Sequence, residues 1–215
     1  MREHRIQTTR RARYYTIGGG APSVDEVWIV LHGHGQLAAE FINYFKSIAA
    51  PPRLVVAPEA LNRYYVEAGA SGRSQDAKLG TTWMTRLDRE NEIADYVDFL
   101  DAVWGETAAR AGRVVALGFS QGVATACRWI AQGRSRVDRL VAWAGQLPPD
   151  VNPKEFAKLS HGLTLVAGTT DEYASWIAEG NNSARLESVG IKPEVVTFDG
   201  GHRMDRLTLD YIAAN

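Results

Sequence analysis

Six short apolar runs limit what this chain can fold into: EVWIVLH (26–32), RLVVAP (53–58), RVVALG (113–118), RLVAWAG (139–145), LTLVAG (163–168) and EVVTFDG (194–200). Each is rich in β-branched residues and nearly continuous in hydrophobicity, as a strand buried on both faces must be. Two covered faces need two packing layers, and segments of helical periodicity separate the runs. In RLDRENEIADYVDFLDAVW (86–104), Ile93, Tyr96, Val97, Leu100, Val103 and Trp104 recur on one helical face, with carboxylates opposite. Strand and helix in alternation predict an α/β fold: a doubly wound, mostly parallel sheet whose site lies at the carboxyl ends of its strands.

At 215 residues and 45% hydrophobic content, the chain matches a single domain over 1–215. Strands, helices and short connections use up most of that length, which leaves no room for a large cap domain. Lys and Arg number 24 against 25 Asp and Glu, a balance that argues against a nucleic-acid partner. No run approaches the roughly 18 apolar residues of a membrane span. The arginine-rich start, MREHRIQTTRRAR, lacks the apolar core of a secretory signal. It reads either as part of an exposed first strand ending on a three-glycine turn or as a transit peptide; the expected location is the cytoplasm. Cys127, the single cysteine, sits among Ala126, Trp129 and Ile130 and reads as a buried structural thiol. The long stretch without periodicity, 59–84, carries Tyr64, Tyr65, Trp83 and Met84 at its ends. It reads as a rim over a pocket or as a surface insertion.

The strand 113–118 runs into Gly118-Phe119-Ser120-Gln121-Gly122 and then into good helix formers. A serine between two glycines at a strand-to-helix turn is a nucleophile elbow, in which the tight turn lifts the hydroxyl clear of the sheet. Serine at its free pKa is a poor nucleophile, so it needs a base and a group that orients the base. His202, on the glycine-rich turn after the last strand, suits the base. His4 and His161 read as solvated surface residues. The orienting acid should follow the strand between elbow and base, where Asp171 lies; Glu172 and Asp199 are the nearby alternatives. The order Ser120, Asp171, His202 is the one this constellation requires.

An oxyanion hole needs backbone N–H groups aimed at the carbonyl oxygen as it gains charge. LHGHGQ (31–36) suits it: Gly33 and Gly35 let the backbone come close, His34 and Gln121 amides are the donors, and His32 braces the loop. A metal site built on His32 and His34 would need a large barrel and further ligands, for which the chain is too short.

With LHGHGQ, GFSQG, AGQLP (144–148) and GGH (200–202) in place, the chain resembles the α/β-hydrolase superfamily. Within it the chain is similar to the phospholipase/carboxylesterase family, which includes acyl-protein thioesterases. The resemblance runs over nearly the whole chain, with the elbow its most specific element. It implies a serine hydrolase of carboxylic esters or thioesters, working without cofactor or metal on a small-molecule ester. It also implies that Trp83 stands beside the acyl site. Gln36 departs from the family's usual Asp, Val123 from its second Gly, and GTTDEYASW (168–176) from the residues that usually frame the acid. Candidate substrate walls are Tyr65, Trp83, Met84, Tyr173 and Trp176. The expected activity is cleavage of esters with short to medium acyl chains; the alternatives are an acyl thioesterase or lysophospholipase, and a non-catalytic ligand binder on the same fold.

Overall fold

A computed structural model describes residues 1–20, 24–66, 77–173 and 181–215. The six apolar runs become six strands of a seven-stranded sheet, and Tyr14–Gly18 adds the seventh. In chain order they are β1 (Tyr14–Gly18), β2 (Glu26–Leu31), β3 (Arg53–Pro58), β6 (Arg113–Phe119), β7 (Arg139–Trp143), β8 (Leu163–Gly168) and β9 (Glu194–Phe198). Their order across the sheet is β1-β3-β2-β6-β7-β8-β9, and only β1 runs antiparallel to its neighbour. Continuous hydrophobicity has the expected cause. Val27, Ile29 and Leu31 of β2 enter one core while Trp28 and Val30 enter the other, and all five are fully buried.

Helix α2 (Arg89–Thr107) covers the first face with Ile93, Tyr96, Val97, Leu100 and Val103, joined by α3 (Gln121–Gln132). On the other face lie the short α1 (Ala38–Phe41), the 3-10 turn Ile42–Phe45 and the last helix, α5 (Arg206–Ala214). Asp205 caps α5, its carboxylate accepting from the Thr208 amide at 3.1 Å. Helix α4 (Asn181–Glu187) buries Leu186 against the first core.

The stretch 59–84 is not wholly irregular, which corrects the expectation for it. Strands β4 (Asn62–Tyr65) and β5 (Leu79–Thr82) form an antiparallel pair. Too short to carry a hydrophobic pattern of its own, this pair is anchored through the Gly35 amide, which donates to the Thr81 carbonyl at 2.9 Å. The first strand is also shorter than the sequence suggests, since only its last five residues pair, with β3. Among the described residues no helix is long and apolar enough to cross a membrane.

The chain lays β3 on one side of β2 and then returns to place β6 on the other. Such a reversal opens a crevice beyond the carboxyl ends of the two strands, where ligands bind in open α/β sheets. The β2–β6 register ends on Leu31 opposite Gly118. The loop that starts at His32 and the turn that carries Ser120 therefore leave the sheet side by side.

Candidate active site

Ser120 occupies the left-handed region at φ 55°, ψ −116°, a conformation costly for a residue with a side chain. Its surroundings hold it there. A Cβ on Gly118 would lie 2.3 Å from the Gly122 carbonyl oxygen, and one on Gly122 would lie 2.1 Å from that of Leu31. Both glycines are thus dictated by close backbone approach. Below the turn, the Ser120 amide donates to the Trp143 carbonyl at 2.9 Å, and Gly145 leaves no space for a side chain against Ser120. Beyond it, α3 starts with its first amides lacking intrahelical acceptors, Gln121 among them.

Neighbouring parallel strands bring Asp171 and His202 together. The loops after β8 and β9 are laced by Thr169 N–H to Phe198 and Thr170 N–H to Gly200, both at 2.9 Å. Asp171 thereby reaches His202, whose Nδ1 lies 2.9 Å and 3.1 Å from the two carboxylate oxygens. The Asp171 side chain is fully buried and its Oδ1 also accepts from the Tyr173 amide at 2.9 Å. Glu172 and Asp199 are exposed, and neither carboxylate hydrogen-bonds or pairs with His202. His202 is a quarter exposed, its ring between Phe119 and Tyr173.

Ser120 and His202 line one pocket of about 240 Å³ together with Gly33, His34, Gln36, Tyr44, Phe119, Arg203 and Met204. The loop after β2 forms its other wall. Gln36 turns its Oε1 back to accept from the Gly33 amide at 2.7 Å. Gly35 has φ 77° and a Cβ there would approach the Tyr64 hydroxyl. Exposed His34 stacks on Tyr64 and places Nε2 2.7 Å from that hydroxyl.

His32 is fully buried. Its Nδ1 lies 2.8 Å from the Gly33 carbonyl and so donates, while Nε2 accepts from the Ala60 amide at 3.1 Å. Burial pulls its pKa down to about 4, against the opposing pull of the Gly33 hydrogen bond and the Glu59 carboxylate. It is a neutral brace for the loop.

Three of the expected substrate walls lie elsewhere. Trp83 is 1% exposed; its ring stacks on His32 at 5.1 Å and its Nε1 donates to the His32 carbonyl at 2.9 Å. A large indole with one polar atom found a buried acceptor under the loop instead of a place in the pocket. Met84 packs on the first core with its sulfur 3.3 Å from an Arg128 nitrogen, and Tyr65 projects into solvent from β4. Tyr173 stands at the rim, mostly exposed and edge-on to His202. Trp176 lies outside the described residues.

The pocket residues Tyr44, Phe119, Arg203 and Met204 were not legible as such. Only the adjacency of Phe119 to Ser120, and of Arg203 and Met204 to His202, could have hinted at them. The Gln121 side chain was missed as well: its amide binds Thr82 Oγ1, the Met84 carbonyl and the Trp83 amide, tying β5 to the elbow. Among the described residues no group of three or more His, Cys, Asp or Glu gathers as a metal would require.

The sheet order, the elbow and the strand-end loops define the α/β-hydrolase fold, without a large cap among the described residues. Solved structures share it. The esterase PE8 superposes with a TM-score of 0.69 at 20% identity, covering 95% of this chain and 97% of that one. Acyl-protein thioesterase 2 of Zea mays gives 0.70 at 15% identity over 95% and 97%. A carboxylesterase from Mesorhizobium loti gives 0.70 at 19% identity over 94% and 93%. At these identities the likeness is one of fold. No sequence-family model and no curated protein sequence matches the chain.

Proposed function

We propose that this chain is a serine hydrolase that cleaves carboxylic esters with short to medium acyl chains, as proteins of the phospholipase/carboxylesterase family do. One observation carries the reading: a hydroxyl on a strained strand-to-helix turn shares a pocket with an imidazole whose other nitrogen is 2.9 Å from a buried carboxylate. Structural neighbours named esterase, carboxylesterase and acyl-protein thioesterase support hydrolase chemistry. A pocket of about 240 Å³ lies below the roughly 300–1,000 Å³ that drug-sized ligands occupy, which supports a small acyl group. The reading carries with it one domain, a small-molecule ester as partner and work in the cytoplasm.

In this mechanism Asp171 accepts from Nδ1–H of His202, which leaves Nε2 as the base. As Ser120 Oγ bonds to the carbonyl carbon, its proton passes to Nε2 and the carbonyl oxygen becomes an anion held by the His34 and Gln121 amides. Collapse breaks the ester bond, the alcohol leaves with the proton from His202, and the acyl group stays on Ser120. Water then repeats the sequence, releasing the acid and restoring the serine.

The test is labelling by a fluorophosphonate probe, which is expected to modify the wild type and spare Ser120→Ala, followed by aryl esters of increasing acyl length. kcat/KM should rise from acetyl to about butyryl or hexanoyl and then fall, since each further buried methylene contributes about 0.8 kcal/mol only while there is wall to cover it. Absence of labelling in folded protein would favour a non-catalytic binder. A steady rise through palmitoyl would favour an acyl thioesterase or lysophospholipase.

A further inference from the structure

Directly after the oxyanion loop, α1 and the turn Ile42–Phe45 border a second, open cavity of about 390 Å³, lined by Gln36, Glu40, Phe41, Asn43 and Tyr44. Gln36 and Tyr44 also line the catalytic pocket, so the two spaces adjoin across the half-exposed Tyr44 ring. The accessible lining of the second cavity combines the Glu40 carboxylate, the Asn43 and Gln36 side-chain amides and one half-exposed ring, Tyr44, with Phe41 buried behind it. Glu40 is exposed, and among the described residues no ion pair or side-chain hydrogen bond engages its carboxylate. Asn43 spends its Nδ2 on the Ala39 and Glu40 carbonyls, at 3.0 and 3.1 Å, which leaves Oδ1 as an acceptor. Tyr44 meets Phe41 edge to face at 6.0 Å. No cationic side chain lines this cavity.

From this geometry we infer that the second cavity is a substrate subsite for a cationic group, an alkylammonium carried on the same ester whose carbonyl sits at Ser120. The inference rests on the hydrolase reading above. A free carboxylate beside the half-exposed Tyr44 ring attracts a cation by Coulomb force and through the ring quadrupole. An anion would meet Glu40 with no compensating charge. A neutral group of the same shape gains apolar contact alone, so charge is what the subsite discriminates, with Glu40 and Tyr44 as its specificity-determining residues.

Two matched pairs of esters test this, with 4-nitrophenyl butyrate as the control for hydrolysis. Butyrylcholine is compared with 3,3-dimethylbutyl butyrate, and 4-nitrophenyl 4-(trimethylammonio)butyrate with 4-nitrophenyl 5,5-dimethylhexanoate. In at least one pair the cation should lead in kcat/KM by about five- to twentyfold at low salt, the combined reach of an exposed ion pair and a cation–π contact. That pair also tells which side of the scissile bond faces the subsite. Glu40→Gln should cut the ratio at least threefold, as should raising the ionic strength, which screens an exposed pair. A ratio below about two in both pairs, or one that Glu40→Gln lowers less than threefold, overturns the subsite while hydrolysis of 4-nitrophenyl butyrate leaves the enzyme reading standing. No turnover of 4-nitrophenyl butyrate by folded protein overturns both.

Discussion

His32 and His202 each follow the carboxyl end of a strand in one sheet, and the protein uses them in opposite ways. His32 is fully buried, both ring nitrogens are engaged with backbone groups, and its pKa falls to about 4. His202 is a quarter exposed in the pocket, with one nitrogen committed to Asp171. A ring whose two nitrogens are both spent is a structural part. A ring with one nitrogen held by a carboxylate and the other facing a pocket can move protons.

The largest effect should therefore come from the His202 side. On the proposed mechanism, His202→Ala and Ser120→Ala should each lower kcat on the order of 10⁶-fold with the urea midpoint of the wild type, because residues of a catalytic triad act as a unit. Asp171→Asn should cost about 10³- to 10⁴-fold by upsetting the tautomer, while Glu172→Gln keeps the wild-type rate. A full loss in Glu172→Gln with an active Asp171→Asn would reassign the acid.

On the His32 side the readout is stability against pH. The folded pKa of about 4 lies below the unfolded value of 6.5. Above about pH 6.5 the group is neutral in both states and contributes no pH dependence. Between 6.5 and 4 the unfolded chain binds a proton that the folded protein refuses, so stability falls as pH drops, by up to about 3 kcal/mol in all. Urea unfolding across that range should show this slope in the wild type and lose it in His32→Ala. An unchanged slope would mean that His32 is not the buried neutral group described here.

The smallest effect tests the reassignment of Trp83. Trp83→Phe removes the hydrogen bond to the His32 carbonyl and some packing, and should cost about 1–2 kcal/mol in unfolding free energy. It should leave the acyl-length profile as it was. A shift in that profile would return Trp83 to the pocket.

What was legible in the sequence is what nearby residues determine. The runs 53–58 and 163–168 coincide with β3 and β8 residue for residue, because a strand covered on both faces needs an unbroken apolar string. The turn at Ser120 was legible because its glycines are required within five residues of chain. Asp171 and His202 were legible by order, since each follows a strand whose neighbour is set by the winding of the sheet. The β4–β5 pair was hidden, as its two short strands are held by an amide of the loop after β2 rather than by their own pattern.

The sequence by itself determined the α/β layering, the strand-to-helix turn that exposes Ser120 and the positions along the chain of its two expected partners. Only the tertiary structure decided which side chains face the pocket. Trp83, Met84 and Tyr65 were equally apolar candidates by composition, and their destinations depended on partners far away in sequence: the His32 carbonyl that accepts from the indole, the Arg128 guanidinium that donates to the sulfur, and solvent for the phenol. The same holds for Tyr44, which lines both cavities because the turn Ile42–Phe45 follows Phe41, whose ring lies 6.1 Å from that of Phe119 at the elbow. Hydrophobic periodicity records how much of a side chain must leave water; which neighbour receives it is settled when distant segments pack.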